Sequence, residues 1–298
     1  MAVIEDLQSA IGSVAERIGP SVVGIGTHQR GSGVVFADGH VLTNAHNLRA
    51  DTTNVTFADG RRAQGRVAGA DVDGDLAVLA VDTAGAPAVE WGQGDGLAPG
   101  AIVFGAAASP GGGTRLTFGT VTAVAREFRG PGGRRIAGSL EHTAPLAQGS
   151  SGGGLFDGQG RLVGLNTNRL GEGFYLALPA DSALRDRVEA LSHGETPNRL
   201  RLGVAVAPAH VARRLQRSVG LPERDGLLVR GVEDDSLAAR AGIQGGDLIV
   251  EAGGKAVTDA DELHEALASL QLPFEIRLVR GTEERVVSVG AGQAAGEA

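Results

Sequence analysis

The sequence predicts a mainly β chain in which an antiparallel barrel pair or sandwich is followed by a smaller α+β unit. Three observations lead there. Short apolar runs alternate with glycine-containing turns from Ser21 to Pro179. The chain carries 48 glycines but only 3% aromatic residues, so Val, Leu, Ile and Ala must fill the cores. A polar stretch holding one Pro and one Gly, HGETPNRL (193–200), separates this region from a second set of strands and helices. The expected boundaries are 1–192 for the large unit, 193–200 for a linker, 201–290 for the small unit and 291–298 for a disordered tail.

Each element has its own warrant. Ile4, Leu7, Ile11 and Val14 recur at helical intervals, which predicts an amphipathic N-terminal helix stopped near Gly19-Pro20. Strand runs follow at 22–26, 31–36, 40–45, 54–57, 76–81, 101–107, 115–124, 161–167 and 174–179. LAVLAV (76–81) is almost wholly apolar, as a strand buried on both faces would be. Asp157-Gly158-Gln159-Gly160 reads as a turn. Helical periodicity returns from Pro179 to about Leu191. In the small unit, strands are expected near 203–207, 226–230, 247–252, 274–280 and 284–289. Ser236 should cap a short helix ended by Gly242. Thr258 and Asp261 have capping-box spacing ahead of an apolar face of Leu263, Ala266, Leu267 and Leu270.

Composition narrows the function. A formal net charge of −8 disfavours a nucleic-acid partner, and Arg pairs such as Arg61-Arg62, Arg134-Arg135 and Arg213-Arg214 read as solvated faces. The absence of Cys removes disulfides, thiolate metal sites and thiol nucleophiles. The N-terminus lacks a basic segment followed by a long apolar one, and no apolar run reaches the roughly 18 residues needed to span a bilayer. Read as it stands, the sequence is expected to be cytoplasmic; were a leader already removed, it would be extracytoplasmic.

The stretch AQGSSGGG (147–154) raises the question of chemistry. A serine hydroxyl attacks only when a base takes its proton and N–H groups meet the resulting oxyanion. Flexible linkers also look like this, but apolar strand-like runs bracket this one. Phasing as G-x-S-G-G selects Ser151 over Ser150. Among the seven histidines, His46 in LTNAH sits at the end of an apolar strand, where a side chain is held yet can face a cleft. His28 and His40 occupy turn-like contexts, His193 and His210 a linker and a loop, and His264 the polar face of a helix. His142 is near Ser151 in sequence, which a triad does not require. Of Asp71, Asp73 and Asp75, the last abuts the most apolar strand and is best placed for burial; the other two read as solvated turn residues.

LTNAH (42–46), DLAVL (75–79) and GSSGG (149–153), in that order, resemble the motifs of HtrA-type serine peptidases. GSGVVF, GTVTAV, LVGLNT and FYLALP fit the same pattern, and the resemblance covers roughly residues 18–180. It implies a chymotrypsin-like double β-barrel with His46 as general base, Asp75 as its orienting acid, Ser151 as nucleophile, and the N–H groups of Gly149 and Ser151 as oxyanion hole. No metal or cofactor is implied. The pattern departs at Asn47, at Ala147-Gln148 and at Gly154, and the extra glycine is expected to soften the oxyanion loop so that activity needs a trigger. Leu146 and Leu165 are expected to line an S1 pocket for small or medium aliphatic residues.

RLGV (201–204) and DSLAARAGIQGGDLIVEAGGKAV (235–257) resemble a PDZ domain. That resemblance implies a C-terminal carboxylate cradled by Leu202, Gly203 and Val204, with the last side chain against Leu263 and Leu267. The family implies unfolded or damaged proteins as substrates, a role in protein quality control and stress response, and a homotrimer joined through N-terminal aromatic residues. Residues 1–30 contain no aromatic residue, so the sequence leaves oligomeric state open. The rival functions are a latent protease serving as a chaperone-like or peptide-binding module, and an esterase. The esterase would need a helix after the nucleophile, whereas the residues after Ser151 read as strand.

Overall fold

The computed structural model describes residues 2–27, 30–130, 135–196, 200–218, 220 and 222–290. The chain divides into two compact units, Met1–Pro197 and Asn198–Ala298. No helix among the described residues is long and apolar enough to cross a membrane.

The first unit opens with α1 (Ala2–Ile18) and continues into two closed six-stranded antiparallel barrels. The first barrel comprises β1 (Val22–Ile25), β2 (Gly31–Ala37), β3 (His40–Thr43), β4 (Thr52–Thr56), β5 (Arg62–Asp71) and β6 (Leu76–Ala80), closing in the order β1-β2-β3-β6-β5-β4. The second comprises β7 (Ile102–Ala108), β8 (Thr114–Arg129), β9 (Arg135–His142), β10 (Gly154–Phe156), β11 (Leu162–Gly171) and β12 (Phe174–Pro179), closing in the order β10-β11-β12-β9-β8-β7. Helix α2 (Ser182–Ser192) follows, capped by the Asp181 carboxylate on the Leu184 N–H.

The period-2 geometry of strands explains why so many runs are wholly apolar. Val23, Val35, Val41, Val55 and Leu79 fill the first barrel, and Val103, Val121, Leu140, Leu155, Val163 and Ala177 fill the second. The alternate residues Val22, Val34, Leu42 and Val78 join Phe104, Phe156, Leu165 and Leu178 in a third cluster that unites the barrels. Leu184, Val188 and Leu191 of α2 and Val14 and Ile18 of α1 complete that joint. Both faces of β6 are therefore buried, as LAVLAV requires.

Only the C-terminal half of α1 follows the amphipathic expectation, since Ile4 is 70% exposed and Leu7 is 49% exposed. Strands β5 and β9 have no counterpart in the sequence reading. Both carry glycines and arginines where an obvious strand would carry β-branched residues. Asp71 is not a solvated turn residue. It is buried, accepts the Gly74 N–H at 3.0 Å, and pairs with Arg187 of α2 at 2.8 Å.

The second unit has one sheet in the order β13-β14-β15-β17-β18, with β13 (Val204–Ala207) at its edge. The other strands are β14 (Leu227–Val232), β15 (Leu248–Ala252), a two-residue β16 (Lys255–Ala256) on β15, β17 (Phe274–Arg280) and β18 (Glu283–Val289). Helix α3 (Ala209–Ser218) stands where the sequence reads as loop, and it carries His210. Ser236 caps α4 (Leu237–Arg240) as expected. In α5 (Ala260–Ala268) the cap shifts by one residue: Asp259, not Thr258, accepts the Glu262 N–H at 2.9 Å, and Glu262 reaches back to the Thr258 N–H at 2.7 Å.

Residues 193–196 are less of a linker than their composition suggests, because His193, Gly194 and Glu195 donate backbone hydrogen bonds to the last turn of α2. The expected disordered tail, 291–298, lies outside the described residues, as does His28.

Removing the Arg187 guanidinium leaves the buried Asp71 carboxylate with fewer donors. Arg187→Ala should cost about 1–2 kcal/mol and lower the thermal midpoint of the first unit by about 3–8 °C, read by calorimetry.

Candidate active site

The site forms where elements of both barrels meet. Strand β3 ends at Thr43, and a single 3-10 turn, Ala45–Asn47, presents His46 with 29% of its side chain exposed. The β5–β6 connection turns back through a left-handed Asp75 (φ 53°), whose carboxylate is only 1% exposed. Both Asp75 oxygens lie 2.9 Å from His46 Nδ1, and Oδ1 also accepts the His46 backbone N–H at 3.1 Å. From the second barrel, the Thr167 hydroxyl donates to Asp75 Oδ2 at 2.7 Å. Asn44 Nδ2 fixes the Asp75 carbonyl at 2.9 Å. An ionised carboxylate accepts only, so the imidazole carries its proton on Nδ1 and keeps the Nε2 lone pair for other work.

Ser151 lines the same cleft as His46 and Asp75, a cavity of about 850 Å³. Its hydroxyl donates to the Thr167 carbonyl at 2.9 Å. Thr167 therefore touches both chemical groups, Asp75 through its side chain and Ser151 through its backbone.

The loop bearing Ser151 is braced from the first barrel. Gly149 adopts φ +83°, which turns its carbonyl onto the Ser32 hydroxyl at 2.8 Å. The Ser151 carbonyl accepts the Ser32 N–H at 2.8 Å and Asn47 Nδ2 at 2.9 Å. The N–H groups of Gly149 and Ser151 enter no hydrogen bond among the described residues. Ser150 is buried, and its backbone bonds to Ala147 and Gly153.

Comparison with known proteins places this geometry. Residues 31–165 match the trypsin-like peptidase domain model, and residues 228–280 match the PDZ domain model. A serine protease of Synechocystis sp. named HhoB is 31% identical over 275 residues, covering 88% of this chain and 66% of the relative. A periplasmic serine endoprotease of the DegP-like type from Halomonas elongata is 31% identical over 271 residues, covering 88% and 56%. Among solved structures, the HtrA-type protease AlgW with a decapeptide matches at a TM-score of 0.70 and 25% identity, covering 95% of this chain and 98% of that one.

The chain belongs to the HtrA family of trypsin-fold serine proteases. It spans only 56–66% of the length of these two curated relatives.

Where this HtrA-family chain departs from the pattern, the structure supplies reasons. Asn47 is buried and bridges Thr43 Oγ1 at 3.0 Å to the Ser151 carbonyl at 2.9 Å. That bridge depends on a glycine at position 31, where a Cβ atom would fall 2.2 Å from Asn47. Gly154 lies beyond the loop that carries Ser151. It lies in β10, paired with Leu165, and a Cβ there would fall 2.3 Å from the Phe156 ring.

The S1 expectation is half corrected. Leu146 lines the cleft, but Leu165 is 0% exposed and belongs to the core between the barrels. The strand side of the cleft is instead Asn166, Thr167, Asn168 and Arg169. Behind it, His142 Nε2 donates to Asn166 Oδ1 at 3.1 Å, and its ring stacks on Tyr175 with centroids 5.9 Å apart. Thr167, Asn166 and His142 were not singled out by motif. The signals for Thr167 are its place at the end of LVGLNT and in the 165–168 strand, which the sequence reading sets along the S1 pocket and which does line the cleft at 166–168.

In the small unit, Gly203 (φ +78°) shapes the loop before β13, and its carbonyl accepts the Glu233 N–H at 2.9 Å. The Leu202 carbonyl accepts the Ala238 N–H at 2.8 Å, while the N–H groups of Leu202 and Gly203 enter no hydrogen bond among the described residues. Val204 begins the edge strand. Leu263 and Leu267 are buried with Leu202 in the core of the unit, so they form the base of any peptide groove and offer little surface to a ligand.

Burial pushes His142 down to about 4 from the ordinary 6.5, with the Asn166 hydrogen bond opposing the shift. Between those values the unfolded chain binds the extra proton and the folded chain does not. Stability should be unaffected by this group above pH 6.5, fall as pH drops towards 4, and level off below. The full effect is roughly 3 kcal/mol. His142→Gln should flatten that part of the urea-midpoint profile relative to the parent.

Proposed function

We propose that the chain is a serine endopeptidase in which His46, Asp75 and Ser151 act as a triad on unfolded or damaged polypeptides. One observation carries this reading: an imidazole oriented by a buried carboxylate shares a cleft with a serine whose own N–H and that of Gly149 meet no acceptor among the described residues. A rotation of the Ser151 side chain away from the Thr167 carbonyl would bring its hydroxyl towards His46 Nε2. Ser151 Oγ then attacks the peptide carbonyl while His46 takes its proton. The N–H groups of Gly149 and Ser151 receive the oxyanion. His46 returns the proton to the leaving amine, and water resolves the acyl-enzyme by the same route in reverse. Asp75 stays ionised throughout and balances the imidazolium. Leu146 favours small or medium aliphatic residues before the scissile bond.

The second unit binds C-terminal peptides in this proposal. The N–H groups of Leu202 and Gly203 cradle the carboxylate, and the peptide adds as a strand beside β13. Its occupancy regulates the protease.

A second reading, a latent protease acting as a peptide-binding or chaperone-like module, is favoured by the Ser151 hydroxyl resting on Thr167 rather than on His46. Fluorophosphonate labelling separates the two. An active triad labels at Ser151 without added peptide; a latent one does not.

Casein hydrolysis should vanish in Ser151→Ala and fall by about 10⁴-fold in Asp75→Asn; retained turnover in Ser151→Ala would remove the assignment. A C-terminal peptide should bind the full chain by calorimetry, and its amidated form should bind at least about tenfold more weakly, since it lacks the charge that the backbone donors receive.

A further inference from the structure

We propose that the cleft selects polypeptide segments with acidic side chains flanking the scissile bond. The proposal rests on the endopeptidase reading and adds a substrate class to it.

The charge of the cleft runs against that of the chain. The whole molecule has a formal charge of −8. Yet, among the described residues, the cleft is lined by Arg30, Arg49, Arg129 and Arg169 and by one carboxylate. That carboxylate is Asp75, which is 1% exposed and already accepts from His46 and Thr167. It offers Arg30, Arg49 and Arg169 no counter-charge.

Elsewhere in this unit Arg126 pairs with Glu141 at 3.1 Å, Arg161 with Asp157 at 2.8 Å, and Arg187 with Asp71 at 2.8 Å, whereas Arg30, Arg49 and Arg169 enter no ion pair among the described residues. Arg169 is held by neutral groups instead. Its Nε donates to the Gly171 carbonyl at 2.9 Å, and its guanidinium lies 5.9 Å from the Tyr175 ring centre. Such partners orient a cation without neutralising it.

Both flanks of a bound peptide meet this field. Arg49 follows His46 by three residues, and Arg30 immediately precedes β2. His46 hands its proton to the leaving amine, so these two arginines belong to the leaving-group side. Arg169 lies two residues beyond Thr167, on the wall of the second barrel. A single exposed ion pair adds little, but several like charges around a concave surface raise the local concentration of an oppositely charged ligand. The effect is screened by salt.

The test uses the full chain and two quenched-fluorescence peptides with amidated C-termini, which keeps them from the PDZ loop. Both share a central aliphatic sequence; one carries Glu on each flank and the other Lys. At 50 mM NaCl the Glu peptide should have the higher kcat/KM by about tenfold or more, shrinking to within about twofold at 500 mM. In Arg30→Gln/Arg49→Gln/Arg169→Gln the Glu-to-Lys ratio should fall below about threefold at low salt. Both peptides are read on one sample, so the ratio does not depend on how much of the variant is folded. Equal kcat/KM at 50 mM NaCl overturns the proposal and leaves the protease reading standing. A Glu preference that ignores both salt and the substitutions overturns it too.

If neither peptide is cut, the protease reading fails first. Dye-labelled versions are then bound to Ser151→Ala and followed by anisotropy. A Kd at least about tenfold lower for the Glu peptide at low salt upholds the charged cleft; equal Kd values reject it.

Discussion

The architecture of the candidate active site depends on one buried carboxylate at the meeting of two barrels. Asp75 is reached from the first barrel by the His46 ring and backbone, and from the second by the Thr167 hydroxyl, 92 residues further along the chain. A desolvated carboxylate is costly unless it is saturated with donors. The barrels must therefore close on one another in one register for it to be tolerated. The requirement that orients the imidazole also fixes how the two halves of the first unit pack. Thr167 extends the coupling to Ser151 through its carbonyl.

A second set of contacts holds the backbone around the serine. Ser32 uses its hydroxyl on the Gly149 carbonyl and its N–H on the Ser151 carbonyl, so one residue of β2 sets two peptide orientations in the other barrel. The N–H groups that share those two peptides, at Ser150 and Gly152, are held in turn by the Ala147 and Asn166 carbonyls. The N–H groups of Gly149 and Ser151 belong to the adjacent peptides and meet no acceptor among the described residues, and the glycine at 149, at φ +83°, lets the chain make that turn.

Much of this was legible in the sequence because strand periodicity and motif order are local signals. LAVLAV marked β6, and the three motif segments marked the residues that meet in the cleft. What stayed hidden depends on contacts between distant segments. Asp71 looks like a turn aspartate until α2 places Arg187 beside it. Asn47 looks like a polar intruder until the Ser151 carbonyl is seen to need it. Leu165 was placed in the pocket because it is apolar and near Thr167. In a strand buried on both faces, apolarity does not say which face looks into the cleft, and it is the polar neighbours Asn166–Asn168 that do. The capping shift from Thr258 to Asp259 is a smaller case of the same kind, since both residues have capping chemistry and only the backbone decides between them.

The fit between Gly31 and Asn47 bears on how such a site could change over generations. A methyl group at 31 would overlap the amide at 47, while trimming 47 alone would strand the Ser151 carbonyl with a single donor. Position 31 cannot gain bulk while the amide stays at 47. The route to a relative with a small apolar residue after the histidine runs through trimming 47 first, and only afterwards can 31 gain bulk. Pairs of this sort should covary in lineages close to this chain and relax independently where the amide has already been lost.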